Sequence, residues 1–253
     1  MRPYILAETN WKEVKTRKYN MAVLPWGATE AHNYHLPYAT DNIQCDYIAA
    51  RSAEIAWNAG TGLIVLPTVP FGVNTGQMDV PLCLNMNPST QLALLMDLVE
   101  VLNTHGIDKL VILNGHGGNS FKSMIRELSV HYPEVFVCSA NWYQASDQTK
   151  IFHEPGDHAG EMETSCIMHI APDLVLDLSQ AGPGAAKRFK PAGLKQGWVT
   201  AQRAWTLVTE DTGVGNPAKA SPEKGAVYLE ESAQEIARFF IELASLDNHE
   251  LYE

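Results

Sequence analysis

Residues Lys109–Ser120 read KLVILNGHGGNS, an apolar run that stops at a glycine-rich turn. Lys109–Leu113 is apolar after its first residue, with no polar–apolar alternation. That is the pattern of a parallel strand buried on both faces. Asn114 and the glycines at 115, 117 and 118 end it, and Ser120–Val130 reads as a helix followed by a strand over Val135–Ala140. Upstream, Ser89 can cap a helix running to His105-Gly106. Further upstream stand a strand at Met21–Trp26, a helix from Asn42 to about Ala59 closed by Gly60, and a strand at Leu63–Leu66. Downstream, helices are expected from about Gly160 to His169 and from Lys224 to about Leu246. Residues 180–222 are rich in Gly, Pro and Ala and read as irregular, and the loop Phe71–Asn87 is long enough to suspect of function. Strands alternating with helices predict βαβ units. The expected architecture is a three-layer αβα fold with a mainly parallel sheet and a flavodoxin-like alternation, as a single domain over 1–253. Ligands in such folds sit beyond the carboxyl ends of the strands.

The chain has 253 residues, 45% of them hydrophobic and 19% charged, which excludes a mostly disordered polypeptide. Eighteen basic against twenty-nine acidic side chains give a formal net charge of −11, which disfavours nucleic-acid and anionic-membrane partners. No apolar run approaches a membrane span, and the first twenty residues lack the apolar core of a secretory signal. Cys45, Cys83, Cys138 and Cys166 form no CxxC and are expected as reduced thiols. Together these features predict a soluble cytoplasmic protein.

Four of the nine histidines, His32, His35, His116 and His158, carry the chemical signal, in three clusters. The first, after the Met21–Trp26 strand, is GATEAHNYHLPYATD over 27–41. Glu30 and His32 are two apart and so point the same way in extended chain, and Asp41 arrives just before the next helix. Carboxylate and imidazole are ligands for Zn²⁺, Mn²⁺ or Fe²⁺, while Asp41 could equally be a helix cap. The second cluster, NGHGGNS, sets His116 between glycines at a strand end. It suits a metal ligand, with a phosphate-binding turn as the alternative. The third, Gly156–Ser165 (GDHAGEMETS), offers His158 as an acid, base or oxyanion stabiliser. Glu161 and Glu163, two apart on a helix, face different sides, so at most one enters a common site; capping is the alternative for both.

GATEAHNYHLPYATD, NGHGGNS and HAGEMETS, in this order, resemble the three signature stretches of the creatininase (creatinine amidohydrolase) family. Thr212–Pro217 with Ala220 and Lys224-Gly225 is similar to that family's late Gly-rich segment. The resemblance implies a doubly wound α/β fold, two divalent metal ions, hydrolysis of a non-peptide or cyclic amide C–N bond in a small molecule, and a hexameric homo-oligomer. Carried over by position, it implies that Glu30 and His116 bind one metal, His32 the other, and that Asp41 bridges them. Creatininase carries a further Glu two residues after the second-motif His; here that position is Gly118, and Glu163 is inferred to supply the missing carboxylate, with Glu161 the weaker substitute. Three carboxylates leave +1 on two divalent ions, which a hydroxide would neutralise. His158 and Glu163 are the expected catalytic residues, His158 stabilising an oxyanion or protonating the departing nitrogen. Zn²⁺ is the expected metal, with Mn²⁺ and Fe²⁺ open.

The aromatic residues that flank creatinine in creatininase have no recognisable counterpart before His158, where Phe152–Pro155 stands, so a formamide or a short modified peptide competes as substrate. Two readings from other classes are a nucleotide- or flavin-binding module and an oligomer with a metal site but no turnover. His35 is expected beside a ligand or in packing, and Trp26 and Trp142 in the core or a pocket wall. His105, His131, His153, His169 and His249 lie outside the motifs.

Overall fold

Side chains alternate along each apolar run, and both sides of the resulting sheet are covered. In the computed structural model, which describes residues 1–253, Met21–Trp26 forms β1, Leu63–Val65 β2, Lys109–Asn114 β3 and Phe136–Asn141 β4. The four strands are parallel in the order β2-β1-β3-β4, with Met21 beside Leu63 on one side and Lys109 on the other. Met21, Val23, Val111 and Leu113 project into one core with Ile48, Ala49, Tyr228 and Phe240. Ala22, Leu24, Trp26, Leu110 and Ile112 project into the other with Leu95, Val99, Met124 and Leu128. Burial on both faces is why β1 and β3 are apolar at nearly every position.

The helices are α1 (Trp11–Val14), α2 (Thr40–Asn58), α3 (Pro88–Thr104), α4 (Lys122–His131), α5 (Glu161–Ile170), α6 (Ala192–Lys195), α7 (Trp205–Val208) and α8 (Pro222–Ser245). Helices α2, α5 and α8 supply the first core and α3 and α4 the second, giving the expected three layers. Helix α8 crosses α5 so closely that a Cβ on Gly225 would lie 2.0 Å from the Ser165 carbonyl oxygen. The start of α3 differs from expectation. Asn87, in extended backbone, precedes the helix, Pro88 takes its first position, and Ser89 falls inside the first turn. Proline tolerates that position because its missing N–H would have had no helical partner.

Strand β1 connects outward to β2, whereas β3 connects to β4 in the opposite direction. The chain therefore diverges between the carboxyl ends of β1 and β3, which opens a crevice there. Two of the three histidine-bearing clusters follow those two strands directly.

Candidate metal centre

Each element delivers its polar side chains to this crevice for a local reason. Beyond β1 the chain stays extended, so Glu30 and His32 project the same way; both are buried. Asp41 lies in the first turn of α2 but does not cap it: Ala39 holds the cap position, and the Asp41 carboxylate turns to His32 and His116. His116 follows β3 on the glycine turn, His158 precedes α5, and Glu163 sits in the first turn of α5.

The donor atoms converge. Glu30 Oε1 lies 3.0 Å from His116 Nδ1, 3.7 Å from His158 Nδ1 and 4.0 Å from His32 Nε2. Asp41 Oδ2 is 3.1 Å from His116 Nδ1, and Asp41 Oδ1 is 3.1 Å from His32 Nε2. Glu163 Oε1 is 4.0 Å from His32 Nε2. Two overlapping donor groups result, Glu30–Asp41–His116 and His32–Asp41–Glu163, sharing Asp41; Glu30–His32–His158 forms a third.

The far nitrogen of each imidazole is held by a backbone carbonyl. His32 Nδ1–H donates to the Glu30 carbonyl (3.1 Å), His116 Nε2–H to Val73 (3.1 Å) and His158 Nε2–H to Ala31 (2.8 Å). Those bonds select the tautomers in which His32 Nε2, His116 Nδ1 and His158 Nδ1 present lone pairs to the carboxylates. Lone pairs facing carboxylate oxygens repel unless a cation or proton lies between them. Asp41 Oδ2 is buried and accepts no hydrogen bond. Edges of a tetrahedral site with Zn–N and Zn–O bonds of about 2.0–2.2 Å are about 3.3–3.5 Å long, inside the observed spread. The donor set therefore fits divalent cations.

Charge in the cluster follows from the same geometry. Burial works against a charged His32, but the Asp41 carboxylate, with Glu163 and Glu30, raises its pKa to about 10. Burial likewise opposes a charged His116, and Glu30 and Asp41 raise it well above the ordinary value. Burial pushes the Glu163 carboxyl up to about 7, with the charges of Asp41 and Glu30 adding to it. His158 is lowered to about 4 by burial and by the neighbouring His32. Protons thus occupy His32 and His116 in the metal-free protein.

The two third-cluster acids separate as helical spacing requires. Glu161 points away from the centre and holds Lys224 Nζ and the backbone N–H groups of His153 and Glu154, the latter two at 2.8 Å. Gly118 lies on the outer side of His116: a Cβ there would sit 2.4 Å from both His116 Nε2 and the Val73 carbonyl oxygen. A side chain at 118 would break the bond that sets the His116 tautomer. His35 is buried outside the cluster, bonded to Thr164 Oγ1 at 2.9 Å. Trp26 and Trp142 are core residues, and the five remaining histidines are exposed.

Three neighbours of the centre lie outside the sequence motifs. Gln77 and Cys83, from the suspected loop Phe71–Asn87, reach Glu30 and Ala31: Gln77 Nε2–H bonds Glu30 Oε2, and Ala31 N–H bonds Cys83 Sγ at 3.2 Å. Trp205, on α7 in the segment read as irregular, sets its ring 4.7 Å from that of His158 at 62°. The length of the 71–87 loop was the signal for the first two; nothing local marked Trp205.

The family model for creatinine amidohydrolase matches residues 7–240. The chain belongs to the creatininase family. A solved Bacteroides fragilis NCTC 9343 structure, provisionally assigned as a creatinine amidohydrolase, is 43% identical with both chains covered in full (100%) and a TM-score of 0.92. The creatinine amidohydrolase of Pseudomonas putida is 28% identical over 92% of this chain and 94% of its own. The mycofactocin precursor peptide peptidase of Mycobacterium ulcerans (strain Agy99) is 26% identical over 86% and 84%. At 24% identity, which bears on fold alone, solved creatininases include a Zn–Zn form (96% of this chain, 99% of that one, TM-score 0.78). A Mn form covers 95% and 98%, with a TM-score of 0.74. This creatininase-family chain is accordingly read as a hydrolase, with clusters of candidate metal ligands, and none of its helices is long and apolar enough to cross a membrane.

Proposed function

We propose that this protein hydrolyses an amide-type C–N bond of a small polar molecule with two divalent ions, one held by Glu30, Asp41 and His116 and the other by His32, Asp41 and Glu163. The observation that carries the reading is the convergence of six buried or nearly buried donors around the shared Asp41, with three imidazoles each held at the far nitrogen by a backbone carbonyl. When bound, such a pair lowers the pKa of water towards about 7 and polarises a carbonyl. The three carboxylates balance three of the four positive charges, which limits the cost of burying the ions. His158 Nδ1 faces the cluster with its Nε2–H spent on Ala31. It is therefore placed to take a proton and pass it to the departing nitrogen. Trp205 packs edge-on to that ring and keeps solvent from it. Zn²⁺ is the proposed metal, with Mn²⁺ or Fe²⁺ as alternatives of the same donor chemistry.

A short modified peptide is a second substrate class. Its support is the peptidase relative together with the exposed Met78 and Leu82, on the loop that carries Gln77 and Cys83, and Leu207, on the helix that carries Trp205. A single-domain, cytoplasmic homo-oligomer, hexameric on the family resemblance, completes the reading. The test is hydrolysis of a panel of cyclic amides, formamides and short peptides by metal-loaded and chelator-stripped protein. Turnover that vanishes on stripping and returns with metal supports the reading. Turnover indifferent to metal refutes it.

A further inference from the structure

We propose that Gln77 is a positioning residue that ties down one oxygen of Glu30, so that only the other is offered to a cation; this rests on the metal-centre reading above. The two oxygens of Glu30 have different neighbours. Oε1 is the atom 3.0 Å from His116 Nδ1 and 3.7 Å from His158 Nδ1. Oε2 turns outward and accepts the amide N–H of Gln77.

The orientation of that amide is determined by its partners. A carboxylate only accepts, so the NH₂ end of Gln77 must face Glu30. The carbonyl end accepts from the Cys83 thiol at 3.2 Å, and Cys83 Sγ in turn accepts the Ala31 N–H at 3.2 Å. Three hydrogen bonds therefore run in one sense, from Ala31 to Cys83 to Gln77 to Glu30, and the Glu30–Ala31 backbone closes the ring. Flipping the amide would set oxygen against carboxylate and leave the thiol without its acceptor. Gln77 is 1% exposed, so water does not compete for either end. A carboxylate free to rotate can take two coordination positions on one ion. Held by Gln77, Glu30 takes one, which leaves a position open for water or substrate, as hydrolytic sites require. The bond also couples the Phe71–Asn87 loop, through its turn at Thr75–Gln77, to the state of the centre.

The test is Co²⁺ titration followed by visible absorption, with wild type, Gln77→Met, Cys83→Ser and Cys83→Ala compared and folding checked by circular dichroism. Gln77→Met keeps the volume and loses both hydrogen bonds. It is expected to weaken one of two Co²⁺ sites by about 10–100-fold. It should also lower that site's d–d absorption, as higher coordination does. Cys83→Ser, which retains a donor for Gln77, should match wild type, and Cys83→Ala should shift in the direction of Gln77→Met. If Gln77→Met does not fold, the Cys83 pair carries the comparison. A folded Gln77→Met with wild-type affinities and spectrum overturns the proposal, as do identical spectra for wild type and both Cys83 variants. Wild type that binds no Co²⁺ while folded removes the metal-centre reading itself, a distinct result.

Discussion

Metal binding to this centre should release protons, because His32 and His116 hold theirs far above the ordinary histidine range. For His32 the carboxylates of Asp41, Glu163 and Glu30 outweigh burial and bring the pKa to about 10. At pH 7 an incoming cation must displace that proton, at a cost of about 4 kcal/mol, each pKa unit being about 1.4 kcal/mol. Apparent affinity should therefore be about a thousandfold below its high-pH limit, rising about tenfold per pH unit for each proton displaced. Stability of the stripped protein follows the opposite course. The raised pKa of His32 contributes stability fully present below the unfolded value, about 6.5, and lost as pH rises through about 10. The thermal midpoint of stripped protein should fall over that window, while the gain on adding metal grows. Calorimetric titration with Zn²⁺ at pH 7–8, in buffers of different ionisation enthalpy, counts the protons directly. At least two per chain are expected, one from each histidine, with a fraction of a third from Glu163. Zero protons, with affinity flat from pH 7 to 9, would refute the assigned charge state and the lone-pair geometry behind it.

Other substitutions separate the parts of the site. Asp41→Ala should lose both ions, because its two oxygens face different histidines, whereas His116→Ala should lose one; elemental analysis distinguishes them. His158→Ala should retain metal and slow hydrolysis by about 10²–10⁴-fold, read from kcat on a substrate identified by the panel. Gly118→Ala should weaken one metal site by about 10–100-fold by disturbing the His116–Val73 bond, measured by chelator competition. Gly225→Ala should leave metal affinity unchanged and destabilise the fold by about 1–3 kcal/mol, since α8 must move off Ser165, as denaturant unfolding would show.

The layers were legible because β1 and β3 carry apolar residues at almost every position, and only a sheet covered on both faces asks for that. Element ends were less so: Ser89 has the chemistry of a cap, yet Pro88 takes the first helical position and displaces it. The convergent acids and imidazoles were visible because extended chain keeps Glu30 and His32 on one side, and because helix geometry forces Glu161 and Glu163 apart. Which of those two faces the centre depended on Lys224, sixty-three residues away, which holds Glu161 elsewhere. Gln77 and Cys83 were marked only by the length of their loop, and Trp205 by nothing, for the same reason. Each acts through a long-range contact, and a glutamine in a loop or a tryptophan in an irregular segment carries no period or spacing of its own.

Glu30, His32, Asp41, His116 and Glu163 are proposed to grip two cations through a shared carboxylate. Elemental analysis of wild type and Asp41→Ala after reconstitution and gel filtration, with folding verified, tests it most directly. Two divalent ions per wild-type chain are expected, and a variant holding essentially none. Folded wild type that retains no metal, or a variant that keeps both ions, would contradict it.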